Sequence, residues 1–341
     1  MYNRYGFTQK SSFDRAGNDL TTYTKDNVVT SLDSYGLESL DEALAYLNQY
    51  NPGHKYATFG FITDIHKGHN FSYAGITALS DHIFQLMAEL NKNYEMDAVL
   101  CGGDILNGYD DPAYYEDNAQ WIFDEFSKYL PDTAVCTTIG NHDKRYNDTV
   151  PLRSNEFLSR LHRGMNCGTA KVSLVELRDY PTNYAVDFKE HKIRIIVLNE
   201  YDAVDTTGNS TSTGKWKRFM NLKNADEWLL GIVNHSPGHF NPKTESIRNY
   251  IDGTSSVGYT NTNGVGGKGF IGNICGHTHS YASYNEITAV VANGHGNNAY
   301  MGTTKDVYCF AVFIVDTDRN KLVEVRVGRE AGVVEYDFIT A

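Results

Sequence analysis

The sequence predicts an α/β fold built on mixed β-sheet. Three observations predict it. From residue 56 onward, apolar runs of strand length alternate with stretches of helical periodicity. The runs are almost continuously apolar, the pattern of strands covered on both faces. The last two runs are joined by a short turn instead of a helix, which makes them an antiparallel pair. With 341 residues and 41% hydrophobic content, the chain can bury a core of one large domain or two smaller ones.

The elements follow in order. Residues 1–54 are polar and rich in Asn, Asp, Ser, Thr and Tyr. One helix is predicted near 40–50. Ser39 and Glu42 form a capping box, Leu40, Ala43, Leu44 and Leu47 a helical stripe, and Asn51-Pro52-Gly53 a stop. The segment reads as an extension used for docking or assembly, which places the start of the main domain, 55–341, at Lys55. A strand at 56–63 then precedes a helix at 73–93, striped by Ile76, Leu79, Ile83, Leu86 and Leu90. A strand at 97–103 precedes a helix at 113–130. A strand at 133–140 precedes a helix at 154–162. Strands at 193–199, 227–235 and 269–276 continue the series, and 307–316 with 321–328 form the closing hairpin around Thr317-Asp318-Arg319-Asn320. Residues 206–213 and 253–269 have loop composition. No internal repeat is present.

Composition limits the partners. The net charge of −12, without a basic tract, argues against long nucleic acid. The one basic knot, Lys215-Trp216-Lys217-Arg218, reads as a solvated face. No apolar signal region and no membrane-length apolar run occur, so the expectation is a cytoplasmic protein without a membrane segment. The 5 cysteines show no zinc spacing. Cys101, Cys136 and Cys275 sit in apolar runs and read as small buried hydrophobes.

Chemistry concentrates at one recurrent place, the C-terminal end of each apolar strand. The strands end in Asp64-Ile65-His66, in Gly103-Asp104, in Gly140-Asn141-His142-Asp143, in His235, and in Gly276-His277-Thr278-His279. Ligand sites of open α/β sheets lie outside those ends. Carboxylates, a carboxamide and five imidazoles converging there suit a hard-to-borderline metal site.

The order D-x-H, G-D, G-N-H-D, H, G-H-x-H resembles the calcineurin-like metallophosphoesterases, over about residues 58–316. The resemblance implies a four-layer α/β/β/α sandwich, two mixed sheets flanked by helices. It implies that Asp64, His66, Asp104 and His279 hold one ion, and that Asp104, Asn141, His235 and His277 hold a second, with Asp104 bridging. Two divalent or trivalent ions, from among Mn, Fe and Zn, are the implied cofactors. Only two of those ligands are charged, so the site stays positive, as a phosphate ester requires. A hydroxide bridging ions about 3.5 to 4 Å apart is the implied nucleophile. His142 is the implied general acid. Asp143 either orients His142 or is a loop carboxylate.

The implied function is hydrolysis of a small phosphate-ester substrate, with a phosphodiester favoured. Phosphoprotein phosphatases of this superfamily carry G-D-x-x-D-R-G. Here Asn107 stands for the second acid and no arginine follows. The alternatives are a phosphomonoesterase or nucleotidase and, in another class, a virion or surface component using the fold for attachment. Of the remaining histidines, His54, His82, His162 and His191 read as surface or structural. His69, His239 and His295 lie near the motif segments and are secondary candidates for touching substrate.

Overall fold

The computed structural model describes residues 38–67, 76–106, 114–144, 169, 171–176, 183–199, 227–236, 268–278, 309–328 and 331–340. The predicted helix at 154–162, the basic knot at 215–218, the loop at 206–213, His69, His239, His279 and His295 lie outside these residues. So does most of the 253–269 loop.

Two six-stranded mixed sheets form the framework. The first contains β1 (Thr58–Ile62), β2 (Ala98–Cys101), β3 (Ala134–Thr137), β9 (Cys309–Asp316), β10 (Lys321–Gly328) and β11 (Gly332–Asp337). Its order is β11-β10-β9-β1-β2-β3, with β1, β2 and β3 parallel, β9 antiparallel to β1, β10 antiparallel to β9 and β11 antiparallel to β10. The second contains β4 (Val172–Glu176), β5 (Tyr184–Phe188), β6 (Ile193–Val197), β7 (Leu229–Asn234), β8 (Gly269–Cys275) and β12 (Ile339–Thr340). Its order is β12-β8-β7-β6-β5-β4, with β6, β7 and β8 parallel. The final segment steps from one sheet to the other between β11 and β12, through buried Phe338.

Period-two alternation divides each strand between two cores. Phe59, Phe61, Leu100, Phe313, Val186, Ile195 and Val233 fill the space between the sheets. Ile62, Val99, Val312 and Val323 point the other way, beneath α1 (Glu38–Tyr50), α2 (Ile76–Asn93) and α3 (Tyr115–Tyr129). On the far face of the second sheet Ile196, Leu230 and Ile232 are also buried, so that face is covered too. The central strands of both sheets are therefore withdrawn from water on both faces, as their continuous apolar runs predict.

The helix near 40–50 forms, and its apolar stripe packs on the core beneath the first sheet. Leu40 and Leu47 are fully buried and Ala43 nearly so, all within the core beneath the first sheet. Asn51 is also fully buried. Its amide donates to Tyr56 O, Thr58 Oγ1 and Tyr94 Oη, while its Oδ1 accepts from Tyr56 N. Tyr50 Oη donates to Asp316 in the β9–β10 turn. The arm is read from the polar composition of residues 1–54, whereas within that segment the apolar stripe of α1 packs on the core. Ser39 lies inside the first turn, since the helix begins at Glu38.

The sequence pattern missed β4, β5, β11 and β12. Each is short, and β11 is an edge strand with much of its surface in water. Such strands lack the apolar continuity that marked the central ones.

Candidate metal centre

The parallel strands of the two sheets deliver their C-terminal ends to one place. Beyond β1 and β2 the chain leaves the regular ladder, but the two exit loops stay hydrogen-bonded. Asp64 N donates to Gly103 O, His66 N to Asp104 O and Lys67 N to Ile105 O, each at 2.8–2.9 Å. This side-by-side course aims Asp64, His66 and Asp104 at a common point. Their backbones bear the strain of doing so. Asp64 (φ 56°), His66 (φ 50°), Asp104 (φ 50°) and His277 (φ 74°) all occupy the left-handed region. That conformation costs an L-residue about 1 to 2 kcal/mol, which Gly would avoid. Retention of large polar side chains there indicates that the side chains are needed.

Two glycines let the loops close on the carboxylates. A Cβ on Gly140 would lie 2.0 Å from Asp104 Oδ1, and a Cβ on Gly276 would lie 2.4 Å from Asp64 Oδ2. Only hydrogen fits at either position.

The second sheet contributes His235, after β7, and His277, after β8. His235 is fully buried, and its Nδ1 lies 2.7 Å from Gly102 O. That contact holds the ring proton on Nδ1 and turns the Nε2 lone pair toward the centre. Nε2 then lies 3.0 Å from Asp104 Oδ2, 3.1 Å from Asn141 Oδ1 and 3.2 Å from His277 Nδ1. Asn141 Oδ1 is 3.0 Å from His277 Nδ1. Three of these atoms accept, and His277 Nδ1 accepts or donates according to its tautomer. In the accepting tautomer the four lone pairs face one point, an arrangement that suits a cation.

A second group shares Asp104. His66 Nε2 lies 3.7 Å from Asp64 Oδ1 and 3.9 Å from Asp104 Oδ2, and His142 Nε2 lies 4.0 Å from Asp104 Oδ2. The His66 and His142 rings meet edge to face at 4.6 Å. Two clusters able to hold an ion result, His66 with Asp104 and His142, and Asp104 with His235 and His277. Ligands about 2.0 to 2.1 Å from a tetrahedral ion stand roughly 3.4 Å apart. The observed separations bracket that value, so the donor set fits two ions with Asp104 between them.

Electrostatics agree. Burial by itself would raise the Asp104 carboxyl, but the imidazoles of His235, His142 and His66 outweigh it and hold the group below the usual carboxylate range. Asp104 Oδ1 is engaged by the His142 amide at 2.7 Å, leaving Oδ2 to face the imidazoles. Asp64 accepts from Thr63 Oγ1 and from the His277 amide. Burial pushes the nearby Cys101 thiol up to about 12, so it offers no thiolate.

Asp143 is fully buried. Its Oδ1 accepts from Leu106 N at 2.9 Å and its Oδ2 from Gly140 N at 2.8 Å. It staples the exit loop of β2 to that of β3. His142 stands beside it at the start of α4 (Asn141–Lys144).

The structure thus brings together Asp64, His66, Asp104, Asn141, His142, His235 and His277. His279 lies outside the described residues. The motifs gave no sign of Thr63 or of the Gly102 carbonyl. Thr63 is adjacent to a motif and could have been suspected, but a backbone carbonyl leaves no trace in sequence.

The profile of the calcineurin-like phosphoesterases matches residues 57–281, about two-thirds of the chain. The chain belongs to the calcineurin-like phosphoesterase family. Its family is one of phosphate-ester hydrolases, and the described residues contain two groups able to hold a metal ion. Solved structures similar to it include a dimetal phosphatase from Danio rerio. That protein is 14% identical, with a TM-score of 0.47, covering 84% of this chain and 99% of its own. A second solved chain is 10% identical, with a TM-score of 0.38, covering 83% of this chain and 99% of its own. Comparison with curated proteins gave no match. Among the described residues, no helix is long and apolar enough to cross a membrane.

Proposed function

We propose that this calcineurin-like phosphoesterase hydrolyses phosphodiesters at a centre held by Asp64, His66, Asp104, Asn141, His235, His277 and His279. The observation that carries the reading is the convergence of Asp104, Asn141 and His277 within 3.2 Å of His235 Nε2, with the same carboxylate reaching toward His66. Mn, Fe and Zn are the ions this mixed oxygen and imidazole set suits. When bound, such ions supply Lewis-acid stabilisation of phosphoryl charge and a water acidic enough to serve as nucleophile at neutral pH.

The residues do the remainder. Gly102 O fixes the His235 tautomer. Asp104, kept ionised, holds the two ligand groups at a common carboxylate. Gly140 and Gly276 admit the loops that carry Asn141 and His277. The missing acid and arginine after Gly103-Asp104 speak against a phosphoprotein phosphatase and leave diesters and monoesters open, of which the diester is the one proposed. A test compares turnover of bis-p-nitrophenyl phosphate with that of p-nitrophenyl phosphate, before and after chelation. The expected result is faster diester turnover that chelation abolishes and Mn, Fe or Zn restores. Full activity in a chelated, metal-free protein would overturn the metal centre. Faster monoester turnover would overturn the diester reading alone.

His142 is assigned to protonate the leaving oxygen. Its side chain is largely but not wholly buried, and its amide is anchored on Asp104. An alkoxide needs a proton to leave, whereas p-nitrophenolate does not. General acid catalysis contributes about 10² to 10⁴-fold. His142→Ala should lose much of that factor on an alkyl phosphodiester and far less on the p-nitrophenyl diester, with metal content unchanged. Equal losses on both substrates with metal retained would reject the acid role. Loss of metal would make His142 a ligand, as its place in the cluster with His66 and Asp104 permits.

A further inference from the structure

The proposed ligands come from two separate sheets. Asp64, His66, Asp104 and Asn141 follow strands of the first, and His235 and His277 follow strands of the second. Nothing within either sheet fixes the distance between them. The apolar core between the sheets sets their overall separation, and contacts crossing at the strand ends set it locally beside the site.

Four such contacts form a row. His277 N donates to the Asp64 carboxylate, joining the ends of β8 and β1. His235 Nδ1 meets Gly102 O, joining β7 and β2. Thr138 Oγ1 donates to Leu198 O at 2.7 Å, joining the ends of β3 and β6. Tyr184 Oη donates to Thr137 O at 2.8 Å, joining β5 to β3. The first two involve proposed ligands. The last two involve none.

Thr138 is fully buried and Tyr184 nearly so. Both grip β3 within four residues of Asn141, the only proposed ligand that β3 supplies. Asn141 Oδ1 must reach His235 and His277, which belong to the opposite sheet. The β6 exit loop is held in turn by Leu198 N, which donates to Val233 O on the strand leading to His235. A continuous path of backbone and hydroxyl contacts therefore links Asn141 to His235 around the outside of the ion cluster.

We infer that Thr138 and Tyr184 are positioning residues that hold Asn141 against His235 and His277 and so set the affinity of the second ion. This rests on the dimetal reading above. Their hydroxyls are not aimed at the ions. They fix the spacing between sheets on the β3 side, beside the contacts of Asn141 with His235 and His277. Removing either would let Asn141 drift from its partners while Asp64 and His66, tied to Asp104 through the first sheet, stay in place.

The test uses the full chain. Thr138→Val and Tyr184→Phe keep shape and remove one hydroxyl each, and Thr138→Ser restores the donor. Metal stoichiometry and affinity are measured by chelator competition with Zn²⁺ alone, beside thermal melting and diester turnover. Residues supporting metal ligands typically alter affinity by about 10 to 100-fold. The expected result is about 10-fold weaker binding of one ion of two in Thr138→Val and in Tyr184→Phe. The other ion should be unaffected, added metal should recover turnover, and Thr138→Ser should resemble wild type. Wild-type affinity for both ions, with only the melting temperature lowered, would overturn the assignment and leave the two residues structural. Equal weakening of both ions would overturn it too. A wild-type chain that binds no pair of ions would instead refute the dimetal reading, so the two failures are distinguishable.

Discussion

Asp104→Asn is expected to abolish most phosphodiester turnover and to lower the bound metal at both positions, whereas His66→Ala should weaken one ion only. The reason is the single carboxylate shared by the two clusters. Asparagine keeps the shape and can still accept the His142 amide now received by Oδ1. It removes the negative charge and places an N–H donor against His66 and His235, or forces a flip that costs the contact with His142. Lewis-acid stabilisation is worth several kcal/mol, so a loss of about 10³-fold in kcat/KM is the scale expected. Metal analysis checks it. Two ions per chain in Asp104→Asn, bound as tightly as in wild type, would show that Asp104 is not the bridge.

A chain beginning at Lys55 is expected not to fold. It lacks Leu40 and Leu47, both fully buried, and the Asn51 amide that serves four hydrogen bonds in the core. Each buried leucine is worth about 2 to 5 kcal/mol, and whole domains are stable by only about 5 to 15 kcal/mol. The loss therefore approaches the total. A chain beginning at Glu38 keeps these contacts and is the control. Soluble yield and the circular dichroism melt decide the matter. A chain from Lys55 that melts within a few degrees of the control would show that α1 is an appendage after all.

The two expectations differ in how far sequence alone could support them. The candidate ligands were legible because metal chemistry leaves a local mark. A histidine or aspartate placed directly after an apolar strand, with a glycine beside it, has few structural reasons to be there. Asp64-Ile65-His66, Gly140-Asn141-His142 and Gly276-His277 were therefore found as short strings, and the alternation of strands and helices told where such strings would meet. The central strands β1, β2, β3, β6, β7 and β8 were legible for a related reason. Burial on both faces demands unbroken apolar runs.

What the sequence by itself determined, then, is the family, the order of the central elements and the residues able to bind metal. Tertiary structure decided the rest, because it depends on distance between segments remote in the chain. The polar composition of residues 1–54 suggested an arm, and only packing shows that the narrow apolar stripe of α1 joins the core. Asp143 stood in the string as a candidate partner for His142, and only the fold shows its two oxygens on the amides of Leu106 and Gly140. The tautomer of His235 is set by a backbone carbonyl 133 residues away, and Thr138 and Tyr184 act through carbonyls as well. Every residue has a carbonyl. Which one lies 2.7 Å from an imidazole is a property of two sheets meeting, and no local pattern of side chains encodes it.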